Sequence, residues 1–466
     1  MNYTSIIPHR QVNPMISLRC TLRKLILLIT AVLEVSSAQT IFPSHHNSLA
    51  CCEAAQSSTS TGFQTPCEIS RGIYSAHIKS IRINGASKAN FPVVLLDSNP
   101  VTISFDVDAA TTESYRVKVF HCDKDWNVTQ SSFINDEYRN YSTIQLPFEM
   151  VPGGIQYYRR TYTFEIPGVK GLEHLPQSGN YKIEIWDEER NELLADGKFF
   201  AVEKIDDTAL SIFNRYLQSE ISPQNQVNKA VLSFVLPAQR MDDANPLYAG
   251  FVKTVDIFRN REIETPHRID VDNRNSHTFV DGIGTNSLKF MIDNLQPGNE
   301  YRRMDLSNSD LYPPNEILRL RDGADMSRWQ WQGSADQNGT STLVTGNPYA
   351  DYVQFQFELG RPEENAGEKI FVVGDFNNWK VNEQWRLQYD DALKHHKLLA
   401  WLRRGAYDYQ YVLNGNDWIA LEGNDWRTVN VYTALVYYHD VRFGGFDRIL
   451  LAAQRESPGG TEATSN

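Results

Sequence analysis

The chain has 466 residues, room for about three domains of ~150 residues each. It is 41% hydrophobic and 22% charged, the balance of an ordinary globular chain. A formal net charge of -12 without a long basic run argues against a general nucleic-acid binder, whose phosphate contacts need clustered Lys and Arg.

The first segment has the layout of an export signal. Arg19, Arg23 and Lys24 precede the apolar run from Leu25 to Leu33, and Ser36, Ser37 and Ala38 supply small residues for cleavage after Ala38. The signal region is therefore placed at 1–38, with Met15 as an alternative start. The apolar run is too short to cross a bilayer. Residues 39–71, rich in Ser, Thr, Gln and His, read as a flexible leader. The exported chain keeps Cys51, Cys52, Cys67 and Cys122. Four cysteines allow three complete pairings, and the sequence does not choose among them. Cys122 could equally be a small buried hydrophobe. A lipid on Cys51 or Cys52 is disfavoured, because both lie well past the apolar core.

Strand signals begin near residue 72. In "VTISFDV", Val101, Ile103, Phe105 and Val107 alternate with Thr102, Ser104 and Asp106, the period of a strand with one buried face. "YRVKVFH", "TYTFEI", "NYKIEIW" and "KFFAVE" follow, separated by turn clusters such as "VPGG" and "PQSGN". This spacing predicts an antiparallel sandwich over 72–204. The stretch 205–348 is less regular; "KAVLSFVLPAQ" and "LYAGFVKTVDIF" predict strands of a second β-rich domain. A third sandwich is expected over 349–453, opening with "DYVQFQFEL", in which Val353, Phe355, Phe357 and Leu359 share one face. "DALKHHKLLAWLRRG" has helical propensity, but the strand–turn rhythm around it favours a strand over Lys397–Arg403. Asn414-Gly415 is a hairpin signal, since a type I′ turn needs two residues that tolerate positive φ. Residues 454–466 are expected to be a disordered tail. The expected class is thus mainly β, with tandem antiparallel sandwiches of the immunoglobulin-like, early-set kind.

Several exact words recur in a known family. His121-Cys122-Asp123-Lys124-Asp125-Trp126 is followed by "NDEYRNY" and by a closing "FFAVE". Downstream come "GDFNNW" with Gly374 and Phe376, "YDYQYV", and "LEGNDWRTVNVY" with Glu422, Gly423 and Asn424. In these words the chain resembles the plug proteins of the bacterial type IX secretion system over roughly residues 72–452. "FVKTVDIFRNREIE" matches that pattern only loosely. The resemblance implies an exported periplasmic protein without enzymatic activity. It would sit at the inner face of the outer membrane, bind the periplasmic mouth of the β-barrel translocon and block its pore when no cargo is leaving. The quoted motif residues would be structural.

The C-terminal stretch is also similar to glycogen-binding modules, which implies a polysaccharide as an alternative partner. By position, Trp379 and Trp418 match that module's stacking pair and Asn430 its asparagine. Its lysine falls on Gln410, which can still donate a hydrogen bond. A packed Trp379 beside a turn shaped by Asn377 and Asn378 is the competing structural reading.

Other constellations are weaker. His121, Asp123 and Asp125 would share one face only on a continuous strand, and Asp residues there more naturally cap turns. "DVDNRNSHTFVDG" places Asp270 and Asp272 at the first and third positions of a calcium loop, but Arg274 at the fifth and Asn275 in place of Gly rule that loop out. No nucleophile elbow, HExxH, P-loop or GxGxxG occurs. No catalytic residue, metal site or cofactor is therefore expected, and no nucleic-acid partner.

Overall fold

Alternation sets the strands, and each buried stripe finds a facing sheet. In the computed structural model the described residues are 73–459, apart from 76, 97, 109–113, 137–140, 143–145, 217–225, 238–245, 329–337 and 362–366. The expected export signal, the expected leader with Cys51, Cys52 and Cys67, and the last seven residues lie outside them.

The first sandwich faces two sheets. One holds Ile78–Asn84, Val101–Val107, Arg160–Ile166 and Phe148–Met150; the other holds Val93–Leu95, Glu192–Val202, Gly179–Asp187, Tyr115–Cys122 and Tyr141–Ser142. The alternating residues of both meet in one core, including Ile103, Phe105, Val117, Val119, Ile183 and Phe199.

The second and third sandwiches are not consecutive. One sheet of the second pairs Leu210–Tyr216, Gln226–Val235, Ser287–Leu295 and Thr278–Asp281. Its facing sheet pairs His267–Asp270 and Val252–Arg259 with Val431–Asp440 and Phe446–Glu456 from the far end of the chain. Ile257 stands opposite Ala434. The third sandwich is inserted between these pieces. Arg302–Asp305, Gly405–Leu413, Ser341–Leu343 and Ile370–Gly374 face a sheet of Ile317–Leu318, Asp325–Met326, Tyr352–Gly360, His395–Arg403 and Gln388–Asp390.

The expected cut at residue 348 is therefore corrected: both later sandwiches draw strands from either side of it. The cause is visible in Val431–Asp440, where nine of ten residues are buried. Tyr432, Ala434, Val436 and Tyr438 enter the second core. Leu435 and Tyr437 point the other way, into an apolar joint with Phe91, Val93, Phe200 and Val202 of the first sandwich. A strand buried on both faces loses its alternation, and nothing in its pattern names its neighbours. The last strand also runs to Glu456, three residues into the expected tail.

One local expectation holds and one is corrected. His395–Arg403 is a strand, so the tertiary setting overrides helical propensity. Asn414 and Gly415 both take positive φ, at 53° and 81°, but their turn closes only on an isolated Leu413–Asp417 bridge and joins no two strands into a hairpin.

Candidate functional site

The strand Ile370–Gly374 ends where it must. A Cβ on Gly374 would lie 2.6 Å from the Phe376 ring and 2.7 Å from the Asp408 carbonyl oxygen. The next three residues form one tight turn. The Asn377 side chain accepts from the Gly374 N–H at 3.0 Å and donates to the Val372 carbonyl at 3.1 Å. Asn378 and Trp379 then adopt positive φ, 52° and 57°. Phe376 turns into the third core, 4.7 Å from Trp385.

This geometry sends Trp379 inward. The residue is 1% exposed, its indole N–H donates to the Gly339 carbonyl at 3.2 Å, and its ring lies 4.2 Å from Tyr301. Trp418, 7% exposed, belongs to the same apolar cluster with Tyr301, Val373 and Val412. Gln410 stands opposite Val373 in the sheet; it is buried, and its Nε2 has no partner among the described residues. Asn430 lies elsewhere. It is buried at the start of the second sandwich's shared strand, donating to the Pro297 carbonyl and accepting from Asn260, each at 2.9 Å. The sugar-stacking expectation is therefore corrected. Stacking needs an open ring face, and the segment leaving Leu295 lays Tyr301 over Trp379.

Glu422 holds that cover down. It is fully buried and accepts from Arg302 at 3.0 and 3.1 Å, from Arg328 at 2.9 Å and from the Tyr411 N–H at 2.8 Å. Arg328 in turn donates to the Glu300 carbonyl at 2.6 Å, and the Asn299 amide donates to the Glu422 carbonyl at 2.9 Å. Burial pushes the Glu422 carboxyl up, but Arg302 and Arg328 outweigh it and hold it below the usual carboxylate range. Gly423, at φ 83°, turns the chain, and Asn424 accepts from the Gly298 N–H at 2.9 Å.

The rest of "GDFNNW" joins sandwiches. Asp375 pairs with Arg261 of the second sandwich, whose guanidinium also donates to the Ile83 carbonyl and to Asn84 of the first at 2.9 and 3.0 Å. Asn378 donates to the Ile81 carbonyl at 3.0 Å. A second joint centres on Asp106, fully buried in the first sandwich. Arg403 of the third sandwich reaches both its oxygens at 3.0 Å, and the Tyr352 hydroxyl donates at 2.9 Å. Burial raises the Asp106 pKa, but Arg82 and Arg403 win and leave it lowered. Arg261, Asp106 and Arg403 were not expected from sequence. Asp106 and Arg403 lie in strands and Arg261 in a turn, and nothing in the sequence around any of them signals that another domain covers it.

The motif from His121 to Trp126 does the same work at the first–second joint. His121 ends its strand buried, with Nε2 donating to the Ser178 carbonyl at 3.0 Å and Nδ1 accepting from Thr129 at 2.8 Å. Burial lowers its pKa. Cys122 is a buried free thiol, pushed up to about 11 by desolvation. Asp123 accepts from the N–H groups of Asp125 and Asn127, both at 2.9 Å, and so caps its own turn. That turn places Trp126, at φ 66°, against Phe200 at 5.3 Å, with the Lys198 ammonium 4.5 Å over the ring. Asp125 pairs with Arg268, and the Lys124 N–H donates to Asp447 at 3.0 Å, both across the joint. The three acidic and imidazole groups are thus spent separately. Among the described residues no group of three His, Cys, Asp or Glu side chains could hold a metal ion.

Residues 78–203 match the family described as the type 9 secretion system plug protein 1st domain. That match makes the first sandwich similar to the first domain of type 9 secretion plug proteins. The matched residues coincide with the first sandwich and contain the His121–Trp126 motif. No curated protein matches the chain. A crystal structure of a hypothetical protein from Parabacteroides merdae ATCC 43184 aligns with 84% of this chain and 100% of its own at 19% identity, with a TM-score of 0.66. The three-sandwich fold therefore has a solved counterpart. A 1.5-MDa bacterial ice-binding adhesin aligns at 9% identity over 83% of this chain and 98% of its own, but its TM-score of 0.13 carries no argument.

Proposed function

We propose that this protein is a non-enzymatic plug of type 9 secretion. It is exported to the periplasm, binds the periplasmic mouth of the outer-membrane barrel translocon, and blocks the pore sterically while no cargo is leaving. The plug-domain match over residues 78–203 carries the reading. The joints support the mechanism. A steric block must not flex open under the load it resists, and Asp106–Arg403, Arg261–Asp375 and Arg268–Asp125 tie the three sandwiches together with ion pairs. Packed apolar and ionic joints of this kind suppress the relative motion that is otherwise the default between domains. The alternative reading, an exported carbohydrate-binding protein, loses its support with Trp379 and Trp418 buried.

The test is co-purification. Tagged protein, cross-linked in cells of a type 9 secreting bacterium, should bring down a very large outer-membrane β-barrel. Recovery as free periplasmic protein under every cross-linking condition would overturn the reading.

A further inference from the structure

Between the first and second sandwiches lies an open cleft of ≈ 590 Å³. One wall is the turn after Cys122, including Val128; the other includes Phe251, Tyr437 and the Gly444–Asp447 loop. Beside it stand apolar side chains without cover. Phe133 is 76% exposed, Val441 59%, Phe443 49% and Val128 37%. Phe133 of the first sandwich and Phe443 of the second pack on each other with ring centroids 5.5 Å apart. Here two domains present one aromatic pair with both rings exposed.

The backbone under that pair is unusual. Phe443 holds φ 51° and ψ 29°, followed by Gly444 and Gly445 at φ 93° and 91°. Bulky side chains rarely occupy this left-handed region, and such conformations concentrate at functional sites. The strained turn points the ring at solvent rather than into a core.

The cleft is also acidic. Asp123, Asp270, Asp272 and Asp447 line it against Lys124 and Lys253. Four carboxylates to two ammonium groups leave a negative surplus, in a chain of net charge -12. Complementary charge steers encounter and fixes register, while aromatic anchors supply most of the affinity. The joints around Trp126 and Arg268 fix the two walls before any partner arrives.

We propose that this cleft and its Phe133–Phe443 rim form a preformed docking site for a loop of the outer-membrane barrel that carries Lys or Arg beside an apolar side chain. The inference rests on the plug reading and adds where the barrel is gripped.

The experiment is quantitative cross-linking and co-purification of the full chain from cells, in four forms: wild type, Phe133→Ser with Phe443→Ser, Asp272→Lys, and Phe279→Ser as an exposed aromatic control on another sheet. The double variant should recover about tenfold less barrel or lower. Asp272→Lys should recover several-fold less, with the loss growing at low salt. The control should match wild type. Equal recovery by wild type and double variant overturns the docking site and leaves the plug reading standing. No barrel with wild type sinks the plug reading first and this inference with it. Should the double variant melt well below wild type, the exposed Asp272→Lys form decides alone, and unchanged recovery there overturns the proposal.

Discussion

Two aromatic sites on this chain make a useful contrast. Trp379 and Trp418 sit in words that resemble a sugar-binding module, and both are buried. Phe133 and Phe443 sit in no motif, and both are exposed, packed on each other across two domains. The difference is what lies over them. Tyr301 and the Gly339 backbone close the first site, and Glu422 fastens that cover through Arg302 and Arg328. At the second site the tight turn around Phe443 turns the ring away from every core. A motif fixes local backbone geometry; whether its side chains are free depends on segments far away in sequence.

The largest effect is expected from unfastening the closed site. Glu422→Ala leaves the Arg302 and Arg328 guanidiniums without their shared carboxylate, and breaking a buried ion pair on one side costs about 3–5 kcal/mol. Chemical denaturation should show that loss, and tryptophan emission should shift to the red as the cover over Trp379 loosens. Unchanged emission would mean that Tyr301 stays seated without the clamp. Trp379→Ala attacks the same site from below and should cost about 3 kcal/mol, the lower end for a buried Trp. Wild-type protein should pass unretained through an amylose column; retention that disappears in Trp379→Ala would restore the sugar reading.

Acid should act next, on the ionic joints. Asp106 and Glu422 both titrate below the usual carboxylate range in the folded protein, because Arg82 with Arg403, and Arg302 with Arg328, outweigh the cost of burying them. A lowered folded pKa means that the unfolded chain binds the proton more readily. The stabilisation is then complete above the ordinary carboxylate pKa of about 4 and is lost as pH falls below it. Melting temperature should hold from neutral pH down to about 5 and fall steeply below about 4. Asp106→Asn should blunt that fall, at the expense of stability near neutrality. A melting curve with the same acid dependence in both proteins would show that this joint does not control the transition.

The fold was largely readable because alternation survives wherever a strand has one wet face. Phe355, Phe357 and Leu359 are buried while Gln354, Gln356 and Glu358 are half-buried, as their order predicts. It failed where both faces are covered. Asp106 follows the polar rhythm of "VTISFDV" but is fully buried, because the third sandwich packs over the face that a lone sandwich would show to water. The insertion of the third sandwich into the second was hidden for the same reason: Val431–Asp440 is nearly continuous apolar sequence, and such a run does not say which sheet it completes. The exposed Phe133–Phe443 pair was invisible for the opposite reason: large apolar residues usually fill cores, and only the folded structure leaves these two open to solvent.

The smallest stability change is expected at that turn, and it sharpens the contrast most. Glycine occupies left-handed backbone freely, whereas a bulky residue there carries about 1–3 kcal/mol of strain. Phe443 also keeps some ring contact, with Phe133 and with Phe446 at 6.5 Å. Phe443→Gly trades that contact and some backbone entropy for relief of strain, so melting should move by about 1 kcal/mol or less in either direction. A fold that gains nothing from Phe443 has no reason of its own to keep it at φ 51°. Retained stability together with lost barrel recovery places the ring's value in binding. A drop of several kcal/mol would instead make Phe443 a structural wedge, and the open site would then be a second closed one.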